Sequence, residues 1–88
     1  MATLSPDERR LLALFEQMKP KGDLRPPGRL LLVHFLHNSE KKVNVRTERV
    51  VDVLAHLQRK GYVESNNAKR LSTLSFRLTE KALRELGY

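Results

Sequence analysis

The sequence predicts an α+β fold, mainly α, in which three helices are followed by a two-stranded β-hairpin and a short closing helix. Three observations predict it. Between Arg46 and Lys60 the apolar residues Val50, Val53, Leu54 and Leu57 recur at i, i+3, i+4 and i+7, one stripe of an α-helix. Gly61 follows at once, where a helix ends in a left-handed residue, and Tyr62-Val63 open a strand-like run. Beyond the turn-forming Glu64 to Ala68, Leu74, Phe76 and Leu78 alternate with Ser75 and Arg77, a period of two.

The first helix is expected from about Pro6 to Met18. Ser5 caps it, Pro6 fits the first helical position, and Glu8 completes a capping box three residues after the cap. Leu11, Leu12, Leu14, Phe15 and Met18 form its apolar face, and Pro20 stops it. Lys19 to Gly28 (KPKGDLRPPG) reads as a loop, because three prolines and two glycines interrupt it. The Leu-rich run that follows, RLLLVHFLHNSE, predicts a buried second helix from about Pro27 to Asn38. His34 and His37 lie i, i+3 on it, but no third ligand has metal-site spacing. Glu40 to Val45 connects to the central helix, Arg46 to Lys60, with Thr47 as its N-cap and Arg59 and Lys60 complementing its negative end. The hairpin is expected as Tyr62 to Ser65 and Leu71 to Leu78, with its tip near Asn66 to Arg70. Thr79 then caps a helix from Glu80 to Leu86. Nothing divides residues 1–88 into more than one domain.

A chain of 88 residues, 40% of them apolar, can fold around one small core. It has no cysteine, hence no disulfide and no thiolate metal site. The N-terminus, MATLSPDERR, is too polar for a secretory signal, and the run Leu30 to Leu36 is far short of the ~20 residues that span a bilayer. A cytoplasmic protein with no membrane partner is expected. There is no Gly-rich phosphate loop, nucleophile elbow or paired-His metal motif, so neither an enzyme nor a cofactor is expected.

The net charge of +7 is unevenly placed. Residues 41–77 hold nine Lys or Arg against three acids, whereas residues 1–40 hold six against five. A basic field concentrated on one helix and the segments flanking it attracts polyanions.

Two blocks resemble a known family. RVVDVLAHLQRKGYVES is similar to the recognition helix and first wing strand of the winged helix-turn-helix domains of MarR and PadR-type transcriptional regulators. SFRLTEKALREL is similar to their second wing strand and the helix after it, and LSPDERRLLALFE looks like their opening helix. The pattern departs at the bulky second helix, LLLVHFL, at the longer connection from His37 to Val45, and at Ala82, where the family commonly has Gly. The resemblance implies a three-helix core with a β-hairpin wing, and a small transcriptional regulator that binds double-stranded DNA. The helix 46–60 would then read the major groove, and the wing 64–77 would touch backbone or minor groove.

On a helical wheel, Glu48, Arg49, Asp52, Ala55, His56 and Arg59 lie on the outer half of the central helix. Arg49 is the expected guanine reader, and Asp52 would orient it or accept from a cytosine amino group. Arg46 and Thr47 would reach a phosphate or a base edge, His56 shares the outer face, and Lys41 and Lys42 in the preceding turn suit phosphates. The resemblance assigns Lys69 and Arg70, at the hairpin tip, to backbone or minor groove. A homodimer reading two half-sites is compatible with this reading. Two alternatives stand beside it. One is a protein-interaction module that binds no DNA. The other is RNA binding, in which Tyr62, Phe76 and Tyr88 would supply the stacking surfaces.

Overall fold

A computed structural model describes residues 4–18 and 29–87. The element order is α1 (Pro6–Gln17), β1 (Leu30–Leu31), α2 (Leu32–Val43), a 3-10 turn (Thr47–Arg49), α3 (Val50–Arg59), β2 (Val63–Ser65), β3 (Ser75–Leu78) and α4 (Glu80–Leu86). The architecture is α+β and mainly helical. Three of its helices pack together beside a small antiparallel sheet.

The local signals at the chain's ends hold. Ser5 Oγ accepts from the Glu8 amide at 3.2 Å, and Glu8 Oε1 accepts from the Ser5 amide at 2.7 Å, a reciprocal capping box. Thr79 caps α4 by accepting from the Ala82 amide. Gly61 takes a φ of +82°, and the chain turns through it from α3 into β2. The predicted loop from Lys19 to Gly28 lies outside the described residues, as do the expected start of the second helix at Pro27 and the stop at Pro20.

The second helix requires correction at both ends. Leu30 and Leu31 are not helical: they form an edge strand paired antiparallel with Phe76 and Ser75. The sheet therefore has three strands in the order β1-β3-β2, not two. At its other end α2 runs five residues past Asn38. Asn38 and Ser39 are buried, and the inward face continues from Leu32 and Phe35 through them to Val43. Asn38 stays helical because its side-chain amide donates to the His34 carbonyl one turn back, at 2.8 Å. Asn44, with φ +56°, is the residue that ends the helix, and its amide donates to the Ser39 carbonyl. Most of the expected connection Glu40 to Val45 is thus helix.

Thr47 is not an N-cap either. Its amide and hydroxyl both donate to Glu40 Oε1, at 3.0 and 2.7 Å, so α2's last turn anchors the start of the next element. The three residues after Arg46 tighten into a 3-10 turn, and α3 proper begins at Val50. The second wing strand is shorter than expected, because Leu71 to Thr73 form a turn and strand geometry starts only at Ser75.

Phe15, Phe35 and Phe76 form the centre of the core. Phe35 meets Phe15 edge-on at 5.2 Å and Phe76 at 6.1 Å, joining α1, α2 and β3. The α3 stripe of Val50, Val53, Leu54 and Leu57 closes over the same cluster. Phe35→Ala should lower the unfolding free energy by about 3–5 kcal/mol, read from urea denaturation, because the cavity opens where three elements meet.

The carboxyl of Glu8 is only 3% exposed, and its Oε1 lies 2.8 Å from Lys60 Nζ at the far end of α3. Burial pushes the Glu8 pKa up, but the Lys60 ammonium and the two bonds to Ser5 outweigh it and hold the group below its ordinary value. A carboxyl whose pKa is depressed by folding contributes stability above its unfolded value and loses it as pH falls through the folded one. Thermal stability should therefore drop as pH falls below about 4.3. In Glu8→Gln the midpoint should be lower at neutral pH, and that part of the acid dependence should flatten.

Candidate nucleic-acid interface

The residues expected to face a polyanion divide into three groups. Lys41 and Lys42 are exposed in the last turn of α2, not in a free turn, and there they complement the helix's negative end. Lys41 Nζ lies 3.1 Å from His37 Nε2 one turn back. Asp52, His56 and Arg59 are exposed on the outer side of α3, and Lys69 and Arg70 are exposed in the loop between β2 and β3. Among the described residues, the side chains of Lys42, Arg59, Lys69 and Arg70 have no ion pair or hydrogen bond.

Arg49 belongs to a different environment from the one its helical position suggested. Its Nε lies 3.6 Å from Asp7 Oδ2, and the expected pairing with Asp52 is not formed. Asp7 is also 3.5 Å from Arg10, within the first turn of α1. Arg46 pairs with Glu48 at 4.0 Å and, behind the two hydrogen bonds from Thr47, helps hold the Glu40 pKa below its ordinary value; its side chain is 82% exposed. Asp7, Arg10, Asn44, Arg46 and Arg49 line one surface depression, in which Arg10 and Arg49 both approach the Asp7 carboxylate.

Helix geometry accounts for the separation. Arg49 precedes α3 in the 3-10 turn and meets Asp7 of α1, whereas Val51, about 100° around α3 from Val50, lies toward the loop. Val51 is 57% exposed and Leu71 68%, and these two line a narrow groove of about 180 Å³ with Ala55, Gln58, Leu74 and Phe76. The loop therefore lies against α3 on the flank opposite Arg49. Val51 was legible as an apolar residue off the buried stripe. Asp7 and Arg10 carried no such signal, because only the α1–α3 packing brings them to Arg49.

The loop holding Lys69 and Arg70 has a built shape. Asn66 Oδ1 accepts from the amides of Ala68 and Ser75, at 3.2 and 3.0 Å, and its Nδ2 donates to the Thr73 carbonyl at 2.9 Å. Asn67 adopts φ +56°, and its amide donates to Ser65 Oγ. The Arg70 carbonyl accepts from the amides of Thr73 and Leu74. Both asparagines thus form the turn, as their residue type predicted. Beside the loop, Arg77 and Glu64 pair across β2 and β3, which removes one cation from the hairpin's free charge.

The aromatic residues of the wing face inward. Tyr62 and Phe76 are buried, and Lys81 lies over the Tyr62 ring at 4.9 Å from its centroid. Burial and the neighbouring Glu85 carboxylate push the Tyr62 hydroxyl's pKa up. Neither ring offers the stacking surface expected for RNA, and Tyr88 lies outside the described residues. His34 and His37 are both exposed, and among the described residues no group of three or more His, Cys, Asp or Glu could hold a metal ion. No described helix is long and apolar enough to cross a membrane.

Comparison with known proteins adds no relative: no family model, no curated protein and no solved structure matches the chain.

Asn66→Ala should release the loop without unfolding the domain. Two amides would lose their acceptor, a cost of about 1–2 kcal/mol of local stability. Hydrogen exchange at Ala68 and Ser75 should speed up by about tenfold, while exchange at Val53 and Leu54 stays unchanged.

Proposed function

We propose that the chain is a winged-helix domain that binds double-stranded DNA, in keeping with a small transcriptional regulator of the MarR and PadR type. The single observation that carries this reading is the shared groove of Val51, Ala55 and Leu71, which sets the loop against α3. On this reading Lys69 and Arg70, which precede Leu71 in the loop, flank the face that bears Asp52, His56 and Arg59. With α3 in the major groove, Asp52 accepts from a cytosine amino group, and Val51 and Ala55 meet thymine methyl groups. Arg59 and His56 extend that contact, and the loop cations take backbone or minor groove. Lys41, Lys42, Arg46, Thr47 and Arg49 lie before α3 and suit phosphates, which fix position on the duplex. The role is one of binding rather than catalysis, at home in the cytoplasm.

Titration with duplex DNA at several salt concentrations tests the proposal. Affinity should fall steeply with salt, and Lys69→Ala and Arg70→Ala should each lower the logarithmic slope by about 0.9. Both variants should weaken all sequences alike, while Asp52→Ala should change the preferred sequence. Absence of binding at low salt defeats the reading.

One observation favours a second reading. Val51 and Leu71 expose apolar surface beside a groove wide enough for an apolar side chain, which suits a protein partner or a second copy of this chain. Association that resists salt and is lost in Leu71→Ser, with no DNA binding, would support it.

A further inference from the structure

A polar depression of about 480 Å³ lies where the first turn of α1 meets the connection between α2 and α3, away from the groove that joins α3 to the loop. Asp7, Arg10, Asn44, Arg46 and Arg49 line it. Among the described residues the walls carry three guanidinium groups and one carboxylate, a formal charge of +2, and two of the three guanidiniums approach that carboxylate.

That carboxylate does not satisfy them. Asp7 Oδ1 stands 3.5 Å from Arg10 Nη1, and Oδ2 stands 3.6 Å from Arg49 Nε. A charge-assisted hydrogen bond between such groups closes to about 2.7–2.9 Å. Asp7 therefore holds both arginines loosely, and each keeps most of its donors for another acceptor. Arg46 is held more loosely still: its one ion pair among the described residues is with the exposed Glu48 at 4.0 Å, and Glu40 adds a weaker attraction. Asn44 adds a side-chain amide on a backbone held in the left-handed region, at φ +56°.

We propose that this depression is a seat for an anion of the phosphate class, bound by Arg10, Arg46 and Arg49, with Asp7 as the internal counter-anion that the guest displaces. The number of forks selects the class. A single carboxylate saturates one guanidinium, whereas the several oxygens of a phosphate or diphosphate can accept from three guanidiniums arriving from different elements. The depression is open to solvent and polar, with room for an anion larger than one orthophosphate. The guest is either a backbone phosphate of a duplex or a small phosphorylated molecule. The inference does not require the DNA reading, since the second source involves no nucleic acid.

The experiment is a titration of the full isotopically labelled chain with inorganic pyrophosphate at fixed ionic strength, following backbone amides and arginine side-chain N–H signals by NMR. Saturable shifts are expected at Arg10, Asn44, Arg46 and Arg49. Arg49→Gln should weaken binding by about tenfold, the loss of one charge-assisted contact. Asp7→Asn should tighten it severalfold, a change that unfolding cannot mimic. Arg84→Gln removes the same charge from α4, outside the depression, and should leave the affinity unchanged. Shifts that rise without saturating overturn the proposal, as does an Arg84→Gln loss equal to that of Arg49→Gln.

Adding duplex DNA to the pyrophosphate-bound protein separates the two sources. Displacement of pyrophosphate assigns the seat to a backbone phosphate. Simultaneous binding, or saturable pyrophosphate binding by a chain that ignores DNA, assigns it to a small phosphorylated ligand. In that last case the DNA reading fails while the seat stands.

Discussion

The contact between the first turn of α1 and one flank of α3 is the constraint on which the rest of the arrangement depends. Two consecutive acids, Asp7 and Glu8, meet cations that bracket α3 at its two ends, Arg49 before it and Lys60 after it. The two pairs are unequal. Glu8 is buried and accepts from Lys60 at short range, so removing Lys60 would strand a carboxylate in a poorly solvated place. Asp7 and Arg49 are partly exposed and loosely spaced, a pair of the kind worth about 0–1 kcal/mol. The first pair fixes how α3 lies across α1, and the second is weak enough to exchange partners.

This division redistributes the positive charge that the sequence concentrates between residues 41 and 77. Lys60, Arg77 and, more weakly, Arg49 are answered within the molecule, whereas Lys42, Arg59, Lys69 and Arg70 project unanswered among the described residues. These free lysines and arginines lie at the end of α2, on the outer side of α3 and in the loop after β2. A basic composition alone does not make such a pattern. It arises because Glu8 and Glu64 answer Lys60 and Arg77 closely, whereas Asp7 only partly offsets the arginines beside it.

Features decided within a few residues were legible in the sequence. The Ser5 and Glu8 box, the Thr79 cap, the glycine turn at 61 and the stripe of α3 each rest on neighbours in the chain, and each is present. Features decided at a distance were not. Leu30 and Leu31 look helical because two residues carry no periodicity of their own, and only pairing with β3 makes them a strand. Asn38 and Asn44 are the same residue type six positions apart. One is carried inside the helix by burial and the other ends it, a distinction set by what packs against them. The candidate surface divides in the same way: its outward residues on α3 followed from the helical wheel, while the partnership of Arg49 with Asp7 required the α1–α3 packing.

The sheet's outer strands, finally, are two and three residues long, and the longer β3 is enclosed between them. Neither margin presents enough consecutive unpaired amides and carbonyls to template an incoming chain. At high concentration, copies of the domain would thus have no ready route into strand-by-strand fibrillar stacking.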